Sequence, residues 1–154
     1  MADKKPLDAS LRHEFVSAVS SRVGFPYRWG ASGPDSFDCC GLVEWGMNQV
    51  GVSLGDICSA DLYNIFHKEK VIETAAKPGS LWLYSNTGEA DKITHVMIMV
   101  RAWGQGGALI GARGGGHTTI DDRMAWQHRA FVDCVLTDYW HSHLVFIVDP
   151  FKNS

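Results

Sequence analysis

No stretch of this 154-residue chain approaches the ~18 consecutive apolar residues that a membrane-spanning helix requires, so no span is expected. The leading residues Met1-Ala2-Asp3-Lys4-Lys5-Pro6 have no apolar segment behind their charges, which excludes a secretory signal there. Synthesis in a cytoplasm is expected, with any target outside reached by another route. Basic residues do not dominate: 14 Lys and Arg stand against 17 Asp and Glu, for a formal net charge of −3. That balance gives no electrostatic footprint for nucleic acid. Only four cysteines occur, Cys39, Cys40, Cys58 and Cys134, and none has Cys-x-x-Cys spacing. Adjacent cysteines rarely bridge without strain, so free thiols in a reducing compartment are expected. Cys58 and Cys134 read as small buried hydrophobes. No pair among His117, His141, His143, Cys58 and Cys134 has standard zinc spacing, so no metal site is expected. Arg113-Gly114-Gly115-Gly116-His117 lacks the Gly-Lys-Ser/Thr ending of a phosphate-binding loop. Neither a repeat nor a low-complexity segment is present. The length suits one domain, expected over residues 8–154 behind a disordered tail at residues 1–7, and a monomer is expected.

What the chain does have is a stretch that changes character within a few residues. Tyr27-Arg28-Trp29-Gly30-Ala31-Ser32-Gly33-Pro34 reads as a loop, with turn residues at Gly30, Gly33 and Pro34. From Cys40, the residues Leu42, Val43, Trp45, Gly46, Met47 and Val50 recur at roughly helical spacing. Asp38 is a natural N-cap, which sets Cys39 in the first turn of a helix ending near Gly51. Unpaired amides and the helix dipole favour thiolate over thiol there. Upstream, Leu11, Phe15, Val19 and Val23 step by four as one face of a helix from about Asp8, stopped by Gly24-Phe25-Pro26. Ala60 to Lys70 reads as a short helix. Strands are expected at Ser80–Tyr84, Thr94–Arg101, Ala108–Ala112, Val132–Leu136 and Leu144–Val148, with a short helix from Asp121 to Arg129. The second of these strands is apolar on both faces and should be central. Helices first and strands after argue for an α+β domain, with an antiparallel sheet packed against the Cys39 helix.

Cysteine catalysis needs a thiolate and an imidazole that takes and returns a proton. Cys39 and His95 fit those roles. They are 56 positions apart, so only the fold can join them.

The residues Gly24-Phe25-Pro26-Tyr27-Arg28-Trp29-Gly30 and Phe37-Asp38-Cys39-Cys40-Gly41-Leu42-Val43 resemble the signature of the NlpC/P60 cysteine peptidases. Those read Gly-x-Pro-Tyr-x-Trp-Gly and Asp-Cys-Ser-Gly-Leu-Val, and Cys40 replaces the serine. The resemblance continues through Lys77-Pro78-Gly79-Ser80-Leu81 and His95-Val96-Met97-Ile98-Met99-Val100, covering about Leu11 to Ala112. It implies a papain-like core and a cysteine endopeptidase that acts without metal or organic cofactor. The implied substrate is the peptidoglycan stem peptide, cut at the γ-D-glutamyl bond to diaminopimelate or lysine. Cys39 would be the nucleophile and His95 the base. Tyr27, Trp29, Asp38 and Cys40 would line the substrate site, with Asp38 both capping the helix and binding a free amine. The family's third catalytic residue, a polar side chain, falls by alignment on Gly111. A backbone carbonyl, His117 or Gln105 are the alternatives. A phage or prophage lysin or a delivered effector would fit a bare catalytic domain. An amidase or acyltransferase on a lipid or small amide, and a non-catalytic assembly module, stay open at this point.

Overall fold

The computed structural model describes residues 7–151. Residues 1–6 of the expected tail lie outside the described residues. Leu7 is half-buried against the core and donates its amide to the Pro150 carbonyl at 2.7 Å.

Three helices come first: α1 (Leu11–Ser20), α2 (Cys39–Gln49) and α3 (Ser59–Phe66). The strands follow: β1 (Leu81–Tyr84), β2 (His95–Trp103) and β3 (Gly106–Arg113), then helix α4 (Asp122–His128), then β4 (Phe131–Leu136) and β5 (Leu144–Val148). They form one five-stranded sheet in the order β4-β3-β2-β1-β5, with every neighbouring pair antiparallel. The α+β expectation is met. The four-residue series in α1 overshoots by one step. Phe15 and Val19 are buried, but the helix ends at Ser20 and Val23 is exposed in the turn that follows.

Alternation along the strands gives the sheet two apolar faces. Leu81, Leu83, Val96, Ile98, Ile110, Ala112, Val132 and Val148 point into the core shared with the helices, where Phe15, Val19, Leu42, Val43 and Met47 meet them. The intervening residues Trp82, Tyr84, Met97, Met99, Leu109 and Ile147 form a second cluster on the other face, closed by Val71, Ala76, Tyr139, Trp140 and Leu144. Burial on both faces explains why β1 and the first half of β2 read as continuous apolar runs. Of the cysteines expected to be buried, Cys58 and Cys134 are instead exposed. Cys58 is the extended N-cap of α3, its thiol turned to Asp61 at 3.3 Å. Cys134 lies on β4, on the face of the buried Val132 but at a point where that face is no longer covered.

The segment before the signature loop runs along the outer side of β4. Gly24 donates to the Val132 carbonyl at 2.8 Å, Val132 to Phe25 at 2.8 Å, and Tyr27 to Ala130 at 3.0 Å. At the far side of the domain, Arg12 ties α1 to the C-terminal residues. Its guanidinium donates to the Pro78 carbonyl (2.6 Å), the Phe151 carbonyl (2.6 Å) and Asp149 Oδ2 (2.9 Å), and it lies over the Phe151 ring. The two side chains are only 13% and 3% exposed. Arg12→Ala would strand a buried carboxylate, so a loss of about 3 kcal/mol in urea unfolding is expected. Asp149→Asn added to it should recover part of that loss, because the neutral amide has no charge to strand.

Candidate active site

The loop and helix meet as the local chemistry predicts. Asp38 is extended (φ −92°, ψ −177°), and its Oδ1 accepts from the Gly41 amide at 2.7 Å. Its Oδ2 accepts from the Gly30 amide at 3.0 Å, which fastens the loop to the helix start. Burial raises the carboxyl's pKa above its usual value, and the Gly41 hydrogen bond opposes that rise. The Asp38 amide in turn donates to the Ala31 carbonyl at 2.9 Å. Gly41 makes this approach possible: a Cβ on it would overlap the Ala31 oxygen.

Cys39 is the first helical residue and is half-buried. It opens into a cleft of about 590 Å³ whose lining includes Tyr27, Trp29, His95, Arg113, Tyr139 and Trp140. So the fold brings Cys39 and His95 together across 56 positions. The Cys39 thiol is held well below its ordinary value of 9.0. The largest cause is a hydrogen bond from Cys40. Desolvation opposes it, and a hydrogen bond and charge from His95 and the Val96 amide add to it. The groups that face the sulfur are therefore Cys40, His95 and Val96, with Tyr27, Asp38 and Tyr139 coupled to it by charge.

Cys40 was expected to line the substrate site, but it is buried in the helix-side core. A step of about 100° along the helix turns it away from the cleft. Its own pKa is pushed up, first by the hydrogen bond to Cys39 and then by burial, so it stays a thiol and a donor. Tyr27 is buried to 6% exposure at the cleft floor, and desolvation followed by the Cys39 charge pushes its phenol above the ordinary 10.0. It is therefore a neutral donor. Trp29 is more than half exposed at the rim.

His95 opens β2 and is caged by aromatic rings: Tyr84 at 5.8 Å and Tyr139 and Trp140 at 6.2 Å between centroids. Its Nε2 lies 3.2 Å from Met97 Sδ. The residues proposed from sequence as a third member do not occupy that position. His117 packs edge-on against Trp29 in a loop held by the Gly116 and Thr119 turn. Gln105 is in the β2–β3 turn, at the opposite end of β2 from His95. Gly111 does lie on the sheet face that carries Met97, and a Cβ there would overlap the Met97 sulfur. Sequence reasoning missed Arg113, Tyr139, Trp140 and Met97. For Met97 the signal was available, since residues i and i+2 of a strand share a face. Arg113 reaches Asp133 at 3.2 Å and lies over the Tyr139 ring, which places a cation in the cleft wall. Among the described residues, no group of three or more His, Cys, Asp or Glu is arranged to hold a metal ion, and no helix is long and apolar enough to cross a membrane.

The NlpC/P60 family model matches residues 24–148. A probable endopeptidase p60 from Listeria grayi is 38% identical over 104 residues, which cover 68% of this chain and 18% of that protein. The bifunctional muramidase/DL-endopeptidase CwlT of Bacillus subtilis is 34% identical over 103 residues, 62% of this chain and 29% of that one. The chain thus spans less than a third of the length of either relative. The solved structure of the peptidoglycan hydrolase RipB from Mycobacterium tuberculosis superposes with a TM-score of 0.64 at 25% identity, covering 92% of this chain and 66% of that one.

Proposed function

The chain belongs to the NlpC/P60 family, and we propose that it is a cysteine endopeptidase of peptidoglycan stem peptides, with the cell wall as its site of action. The observation that carries this reading is Cys39 at a capped helix start, lining one open cleft with His95. In the proposed mechanism the Cys39 thiolate attacks the amide carbonyl and a C–S bond forms. The tetrahedral oxyanion collapses, the C–N bond breaks, and the leaving amine takes the proton held by the His95 imidazolium. His95 then removes a proton from water, which attacks the thioester and releases the acid and the Cys39 thiolate. The amides at the start of α2 point their dipoles toward this centre and would stabilise the oxyanion.

Arg113 is the one Lys, Arg, Asp or Glu among the described residues that line the cleft. A cation in the wall suits a substrate with free carboxylates, and a stem peptide carrying D-glutamate and diaminopimelate has them. The γ-D-glutamyl bond to diaminopimelate or lysine is therefore the proposed scissile bond.

The test is mass spectrometry of purified sacculi digested with wild-type protein and Cys39→Ala in parallel. Fragments ending at D-glutamate, found only with wild type, are the expected result. Cleavage elsewhere that still needs Cys39 would keep the chemistry and change the bond. No cleavage by reduced protein, on walls of more than one chemistry, would remove the peptidase reading.

A further inference from the structure

A general base acts well only if its ring is held in one tautomer and one orientation, a task usually given to an acceptor at the nitrogen facing away from the nucleophile. On β3 the position expected to supply one is Gly111, which has no side chain. The space is nevertheless filled. His95 and Met97 are i and i+2 on β2, so both side chains leave the same face of the sheet. Met97 is fully buried, and its Sδ stands 3.2 Å from His95 Nε2. From the neighbouring strand, a Cβ on Gly111 would overlap that sulfur and lie 3.2 Å from the Val96 carbonyl. The sulfur thus occupies the volume that a side chain at position 111 would need.

We propose that Met97 is the positioning residue of His95: its thioether accepts the Nε2–H, which leaves Nδ1 as the nitrogen that serves Cys39, and Gly111 is side-chain-free so that this sulfur fits. This rests on the reading of Cys39 and His95 as nucleophile and base. The thioether is a weak acceptor compared with an amide or carboxylate. It orients the ring while giving an imidazolium modest support, and the aromatic cage of Tyr84, Tyr139 and Trp140 supplies the rest of the restraint.

A buried methionine beside aromatic rings is most often a flexible filler, so the test must separate an acceptor from a volume. Met97→Leu keeps the volume and removes the acceptor. The readout is the rate of Cys39 alkylation by iodoacetamide against pH, followed on the Cys39 peptide by mass spectrometry because Cys58 and Cys134 are also exposed. This needs no substrate. Wild type should show an inflection below the ordinary thiol range. In Met97→Leu it should move up by about half a pH unit, the scale of one weak hydrogen bond. The pair Met97→Ala with Gly111→Asn replaces the sulfur by an amide oxygen from the facing strand. Its inflection should return to the wild-type value or fall below it; Met97→Ala alone, expected to move up as Met97→Leu does, serves as the second variant if Met97→Leu does not fold. His95→Ala is the control. An inflection that moves in His95→Ala but stays at the wild-type value in Met97→Leu, or in Met97→Ala where Met97→Leu does not fold, overturns the positioning role alone. An inflection unmoved by His95→Ala overturns the Cys39–His95 reading and this inference with it.

Discussion

Cys39→Ser is expected to lower turnover on a synthetic stem peptide by roughly three orders of magnitude or more, with the thermal midpoint shifted by only a few degrees. The exchange changes one atom, and the surroundings of that atom are arranged for a sulfur anion. Cys40, His95 and the Val96 amide each favour the anion and lower the Cys39 pKa, Cys40 most of all. These act against burial, which alone would favour the neutral thiol. A serine hydroxyl in the same place is far harder to deprotonate, so the ion pair with His95 does not form before substrate arrives. The sign of the pH effect follows. Because the Cys39 pKa is lowered, the active thiolate persists at pH values below the ordinary thiol range and is lost as pH falls through the depressed value. Steady-state rates from pH 4 to 9 on wild type and Cys39→Ser would check both points. Comparable rates from the two proteins would end the case for a thiolate nucleophile.

Gly41→Ala is expected to destabilise the protein by about 3 kcal/mol, the upper end of what overpacking costs. Helix propensity predicts the opposite sign, since alanine in a helix interior is favoured over glycine by about 1 kcal/mol. Close approach decides the matter. A methyl group at position 41 would overlap the Ala31 carbonyl oxygen and crowd Asp38 Oδ1 at 2.9 Å. Neither is the loose end of a long side chain. Ala31 is backbone whose oxygen already accepts the Asp38 amide, and Asp38 holds the Gly41 and Gly30 amides. Moving any one of these loosens the N-cap, and with it the position of Cys39. Urea unfolding measures the first effect, and Cys39 alkylation at pH 7 the second. A variant as stable and as reactive as wild type would show that loop and helix are not locked together there.

The start of α2 and the surroundings of His95 differ in how readable they are in the sequence. The start of α2 could be placed from Asp38, Cys39 and the apolar spacing behind them, because capping is a local property of a few consecutive residues. The sheet could be anticipated from apolar runs for the same reason. Cys134 could not be placed, because it shares a face of β4 with the buried Val132 and its exposure depends on how far along the strand that face is covered, which elements distant in sequence decide. Cys58 misled because a cysteine at a helix cap looks no different in sequence from one in a core. Met97 was overlooked because a partner for His95 was sought on the next strand, where the alignment pointed, and a polar residue was assumed. Position 111 was read as a missing residue, whereas in three dimensions it is half of a complementary pair.

The segment from Gly24 to Tyr27, hydrogen-bonded along β4, has a consequence for recognition. Many proteins grip an extended peptide by adding it to a sheet as one more strand, which demands L-residues joined through α-linkages in regular register. On the β4 side, beside Tyr27 and the cleft, that docking rail is already taken by the chain itself. A ligand gains no ladder of main-chain bonds from it, and on the proposed reading the side chains that line the cleft, Tyr27, Trp29 and Arg113 among them, would hold it. Such a grip is indifferent to backbone handedness and linkage. It would suit the proposed substrate, whose D-centres and γ-bond would spoil any β-ladder.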